Sequence, residues 1–177
     1  MRRLLTAVVV TAALAGCGSS SSGGQLSSSQ APTPAATACT TQAPSREHVA
    51  GTTDLTKKPQ IEVPDAPPPC NLVAGDIVPG TGAAAKPGDH LTMKYVGVLY
   101  ASGKQFDASW DRGQDFSFDL GRQQVIGGWD QGLEGMKVGG RRELVIPPQL
   151  GYGDQGAPPD IPPGATLIFV VDLVKIG

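Results

Sequence analysis

The runs Val125-Ile126-Gly127-Gly128-Trp129 and Ile161-Pro162-Pro163-Gly164-Ala165-Thr166-Leu167-Ile168-Phe169 decide the fold. In the first, two apolar residues meet a glycine pair and a tryptophan. Gly128 to Leu133 then has room for only a turn or two of helix before Gly135 punctuates its end. In the second, Pro162-Pro163-Gly164 breaks regular structure. Thr166 to Ile176 follows with Leu167, Phe169, Val171 and Leu173 at every second position, the period of a strand with one buried face.

Outward from these runs the same period recurs. Arg141 to Ile146 directs Leu144 and Ile146 inward, and Leu91 to Tyr100 is the longest strand candidate, with Leu91, Met93, Tyr95 and Leu99 on one side and Thr92 and Lys94 opposite. That strand ends at Ala101-Ser102-Gly103-Lys104, which reads as a hairpin turn. Gln105 to Ser109 and Asp115 to Leu120 are the next strands, the latter pointing Phe116, Phe118 and Leu120 to one face. Asp76-Ile77-Val78 leads into the turn Pro79-Gly80-Thr81-Gly82. About five antiparallel strands and one short helix predict an α+β domain over 76–177, with the sheet burying one face against the helix. Before it, residues 54–75 form a Pro-rich extension in which Ile61-Glu62-Val63, between Pro59 and Pro64, is expected to add a short edge strand.

The remaining chain is different in kind. Its 177 residues allow one ordinary domain and a sizeable segment besides. Residues 1–50 are mainly Ser, Ala, Thr, Gly and Pro, with almost no large apolar residue after Leu14, so they cannot bury enough surface to offset the entropy of ordering. A net charge of −2 without basic runs excludes a nucleic-acid partner. Met1-Arg2-Arg3 followed by an apolar stretch from Leu4 to Leu14, too short to span a bilayer, predicts a signal peptide over 1–16. Leu14-Ala15-Gly16-Cys17 resembles the lipobox of bacterial lipoproteins. This implies acyl chains on Cys17, a flexible tether over 17–53, and a lipid-anchored protein at the extracytoplasmic face of the cell membrane. The alternative is an ordinary signal peptide that happens to contain a cysteine. Cys39 and Cys70 then remain as an even pair in an exported chain, and a disulfide between them would close a loop of about thirty residues; two free thiols are the rival reading. With no CxxC and only the scattered His48 and His90, the sequence calls for no metal or cofactor.

Tyr95, Phe106-Asp107, Arg112, Phe116, the Phe118-x-Leu120-Gly121 turn and Tyr152-Gly153 stand in register with the two opening runs. Together they resemble the FK506-binding-protein (FKBP) type of peptidyl-prolyl cis-trans isomerase, from about Asp76 to Ile176. The resemblance implies a sheet half-wrapped around one short helix, a monomer, proline-containing polypeptides as substrates and macrolides of the FK506 class as ligands. It implies catalytic roles for Tyr95, Phe106, Asp107, Trp129, Tyr152 and Phe169, and substrate-binding roles for Arg112, Phe116, Val125, Ile126 and Ile161. Asp107 would form a polar network with Tyr95 and Arg112. The Ile126 N–H would donate to a ligand carbonyl that Gly127 and Gly128 allow to come close, and the Tyr152 hydroxyl to a second one.

The chemistry suits these residue types. Rotating an X-Pro bond means crossing roughly 18 to 20 kcal/mol of lost amide resonance, and no bond breaks, so neither nucleophile nor general base is needed. A pocket helps by holding the proline ring, excluding water and favouring the twisted amide. Read singly, the same aromatics are ordinary core residues; in this register they form a site. From Gly151 to Pro163 the chain departs from the family's single-domain members. Ala157 stands in place of a common histidine, and Asp160 is expected beside the groove for the residue before proline, where it would favour Lys or Arg there. An isomerase for exported chains is the leading function. Its rivals are a non-catalytic module that docks proline-containing segments, and a structural spacer.

Overall fold

The computed structural model describes residues 39–41 and 53–177. The signal peptide over 1–16, Cys17 and most of the tether over 17–53 lie outside the described residues. Six strands form one antiparallel sheet: β1 Val73–Val78, β2 His90–Leu99, β3 Gln105–Ala108, β4 Phe116–Asp119, β5 Arg141–Ile146 and β6 Leu167–Ile176. Their order is β1-β5-β6-β2-β3, with β4 also paired to β2. The long central strands β2 and β6 hold the register, from Leu91 opposite Ile176 to Leu99 opposite Leu167.

Among the described residues two short α-helices are present rather than one. α1, Ser109–Arg112, is a single turn closed by Gly113 in the left-handed region, and α2, Gly127–Gly132, carries Trp129. The expected strand over 105–109 stops at Ala108 because Ser109 turns into α1. α2 packs on one face of the sheet, where Leu91, Met93, Leu144, Ile146, Leu167, Phe169 and Leu173 meet Trp129 and Leu133 in the main core. A Cβ on Gly128 would come 2.5 Å from Ile146 Cγ2, so this glycine is required by helix-to-sheet packing rather than by ligand approach.

The opposite face is covered as well. Val96, Val98, Tyr100, Ala108, Val145 and Ile168 form a second buried cluster, capped by Ile61, Val63, Val73 and Trp110. Ile61 and Val63 are not in a strand. β1 already occupies the sheet edge beside β5, and prolines at 59 and 64 interrupt the donor row a ladder needs, so the extension lies across the face instead. The Arg141 guanidinium donates from Nη2 to the Lys57 carbonyl at 3.0 Å, and the Tyr100 hydroxyl to the Ala66 carbonyl at 3.2 Å. Cys39 and Cys70 are joined in a disulfide, and Thr40 exchanges backbone hydrogen bonds with the 68–70 segment: its N–H donates to Pro68 and its carbonyl accepts from Cys70, both at 2.8 Å.

Glu143 sits on β5 between Gly75 and Val170, with one carboxyl oxygen buried and unpartnered among the described residues. Burial pushes its pKa up to about 7 from 4.5. Between those values the folded protein holds a proton that the unfolded chain has released, so stability falls as pH rises through this window. Glu143→Gln is therefore expected to stabilise the protein by about 1 to 2 kcal/mol at pH 8 and to leave it unchanged at pH 4. Urea unfolding at the two pH values checks this, and an equal shift at both would refute it.

Candidate active site

The site begins with a gap in pairing along β2. Its free edge takes β4 against His90–Met93 and β3 against Val96–Val98, which leaves Tyr95 between them. Ser109, buried at the start of α1, fills the gap: its hydroxyl accepts the Tyr95 N–H at 2.9 Å. The same single turn brings Arg112 back over Tyr95. Its Nη2 donates to the Tyr95 hydroxyl at 2.9 Å, Nη1 donates to one Asp107 carboxyl oxygen, and the Tyr95 hydroxyl donates to the other.

Gly97 explains how the rings fit. A Cβ there would lie 2.7 Å from both Phe106 Cζ and Phe169 Cε1, so any larger residue would have to displace both rings. Phe106 and Phe169 meet edge to face at 5.4 Å. Trp129 is approached nearly at right angles by Tyr95 at 5.2 Å, Phe169 at 5.3 Å and Phe116 at 5.9 Å. These edge-to-face contacts box the indole and fix its plane.

Tyr95, Phe106, Asp107, Phe116, Val125, Ile126, Trp129, Tyr152 and Phe169 line one cavity of about 250 Å³, together with Gln124. Two expected substrate contacts stand elsewhere. Arg112 is not on the wall and acts through Asp107 and Tyr95. Ile161, 5% exposed, belongs to the main core, where its backbone pairs with Ala157 on the flap. Asp160 is not on the wall either: its carboxylate accepts from Lys104 Nζ at 3.1 Å, tying the flap to the β2–β3 turn, so a preference for Lys or Arg before proline loses its structural basis. Sequence reasoning missed Gly97 and Gln124. A glycine inside a long strand was the available signal for the first; nothing local marks the second.

Burial, reinforced by Asp107, pushes the Tyr95 hydroxyl up to about 12, so it remains a neutral donor. The Arg112 guanidinium is raised by its hydrogen bonds to Tyr95 and Asp107. Tyr152 at the rim is raised by burial and then by the charge of Asp107, which therefore reaches the cavity mouth. The Ile126 N–H donates to no acceptor among the described residues, and the buried Trp129 indole N–H is likewise unpartnered there. A larger groove of about 650 Å³ lies between Val63–Pro68 of the extension and the loop 162–166, with Asp65 as its one carboxylate. It lacks the convergent polar groups of the aromatic cavity. Among the described residues no cluster of His, Cys, Asp and Glu could hold a metal, and no helix is long and apolar enough to cross a membrane.

Residues 82–174 match the model of the FKBP-type peptidyl-prolyl cis-trans isomerase family. The chain is similar to an FK506-binding protein of Streptomyces anulatus, 53% identical over 121 residues, which are 68% of this chain and 98% of the relative. It is also similar to a probable FK506-binding protein of Corynebacterium glutamicum, 49% identical over 119 residues, which are 67% of this chain and 98% of that one. Among solved structures, the crystal structure of AtFKBP13 is similar with a TM-score of 0.56 at 39% identity, covering 60% of this chain and 93% of that one.

Proposed function

Because the chain belongs to the family of FKBP-type peptidyl-prolyl cis-trans isomerases, we propose that it isomerises X-Pro bonds in exported polypeptides at the outer face of a bacterial membrane, anchored there through Cys17. The observation that carries the catalytic part is the aromatic cavity floored by Trp129, with Tyr95 and Asp107 on its wall and Arg112 behind them. The proline ring rests on the boxed indole. The amide then leaves water, whose hydrogen bonds favour its planar dipolar form. The Ile126 N–H donates to a substrate carbonyl and fixes the chain on one side of the rotating bond. Asp107 presents its charge to the other side and holds Tyr95 in place. It transfers no proton.

The outer-face location rests on the resemblance of Leu14-Ala15-Gly16-Cys17 to a lipobox and on the Cys39–Cys70 disulfide, a bond that persists in oxidising compartments. Macrolides of the FK506 class are expected to enter the same cavity, and the protein to act as a monomer. A protease-coupled assay of a short X-Pro peptide tests catalysis. A folded protein that leaves isomerisation at its uncatalysed rate would favour the docking module. Comparing detergent partitioning of the wild type with Cys17→Ser tests the anchor, and identical partitioning would remove it.

A further inference from the structure

We infer that Gln124 is a substrate-binding residue of this cavity: its carboxamide, held in one orientation by Asp119, donates its remaining N–H to a backbone carbonyl of the bound polypeptide. The inference rests on the proposed function and names a contact that reading does not include. Gln124 is the one carboxamide residue among those that line the cavity. Both ends of its amide are tied to a single residue: Oε1 accepts the Asp119 N–H at 3.0 Å, and Nε2 donates to Asp119 Oδ2 at 3.3 Å. This fixes which end is oxygen and leaves one Nε2 hydrogen unused.

The support behind it is itself held. Asp119 pairs with His90 Nδ1 through its other carboxyl oxygen at 2.7 Å, and this bond, chiefly, keeps its carboxyl below the usual range and so ionised as an acceptor. The rim backbone is pinned from α2, where Asp130 accepts the Gly121 N–H at 2.8 Å and the Gln123 N–H at 3.0 Å. Between those anchors Gln123 takes φ 57°, the one non-glycine residue in the left-handed region among those described. Such a turn persists only where its surroundings hold it, so the Gln124 donor is placed before substrate arrives.

The substrate's chemistry says why a donor is needed. Proline has no N–H, so an X-Pro segment offers carbonyl acceptors in excess of donors. A pocket for it must supply donors. Ile126 provides one from the backbone, and Gln124, two residues earlier on the same segment, supplies one whose position does not depend on the rotating bond. A contact made equally to the planar and twisted amide changes binding and leaves turnover alone.

The test uses the full chain with an X-Pro peptide, measuring kcat and KM by isomerisation and Kd by calorimetry. Gln124→Ala is expected to raise KM and Kd by about three- to tenfold, the range of one neutral hydrogen bond, with kcat within about twofold. Asp119→Asn keeps the acceptor for Nε2 and should bind like wild type, whereas Asp119→Ala should lose part of the affinity. The double variant Asp119→Ala/Gln124→Ala should be no weaker than Gln124→Ala alone. Unchanged KM and Kd in a folded Gln124→Ala, or additive losses in the double variant, would overturn the inference. A wild type that binds the peptide without turning it over would instead remove the proposed isomerase, and the calorimetric arm would still decide the role of Gln124.

Discussion

Asp107→Ala is expected to lower kcat/KM for an X-Pro peptide by about a hundredfold while the domain still folds. The carboxylate does two jobs in the cavity. It accepts from both the Tyr95 hydroxyl and the Arg112 guanidinium, and its negative charge adds to the burial that raises Tyr152 at the rim. Without it, Tyr95 and Arg112 keep their mutual hydrogen bond of 2.9 Å but lose the shared acceptor that orients the Tyr95 hydroxyl at the cavity. Loss of position by an ångström near a reacting centre costs about a hundredfold, which sets the size of the effect. Folding is spared because Asp107 is partly exposed and leaves no buried charge unpaired; its side chain is 40% accessible. Asp107→Asn keeps acceptor capacity without charge and should fall between the two. Coupled assays beside thermal melts check this, and an alanine variant with wild-type kcat/KM would show that the network is structural only.

The aromatic half of this site was legible because it is local. Tyr95, Phe116 and Phe169 lie on strands whose period of two fixes their side, and Trp129 follows a glycine pair that opens a helix, but it was the register shared with the FKBP family that joined them into one pocket. What stayed hidden depends on contacts between distant segments. Asp160 was expected at the substrate groove, but Lys104 claims it from 56 residues away. Ile161 was expected on the wall, but the flap bridge to Ala157 turns it into the core. Gln124 gains its role only once Asp119 orients it. The second buried face did leave a trace: Val96, Val98 and Tyr100 alternate with Tyr95 and Leu99, a run apolar on both sides that signals a strand covered twice. Which segment covers it was misread, since Ile61 and Val63 share the period of two of the strand they cap and so were expected to extend the sheet instead of lying across it.

The largest stability effect is expected on that covered face. Arg141 is fully buried, and Asp172 opposite it on β6 accepts from Nε at 2.5 Å and from Nη2 at 2.8 Å. Asp172→Ala removes the counter-charge of a guanidinium that has no access to water, and the loss should reach about 3 to 5 kcal/mol, a large fraction of the roughly 5 to 15 kcal/mol that holds a domain folded. Arg141→Met combined with Asp172→Leu removes both charges and should recover most of it, because the desolvation cost disappears with the attraction. Recovery in the double variant has a separate consequence. Arg141 also donates to the Lys57 carbonyl at 3.0 Å and the Asp54 carbonyl at 3.4 Å, so it clamps the extension to the sheet. With methionine there, residues 53–70 should be cleaved faster by a protease even though global stability has returned. Urea unfolding and limited proteolysis separate the two effects. A loss under about 1 kcal/mol in Asp172→Ala would mean the pair behaves like an exposed one, and unchanged cleavage in the double variant would mean that the apolar cap of Ile61 and Val63 holds the extension without the clamp.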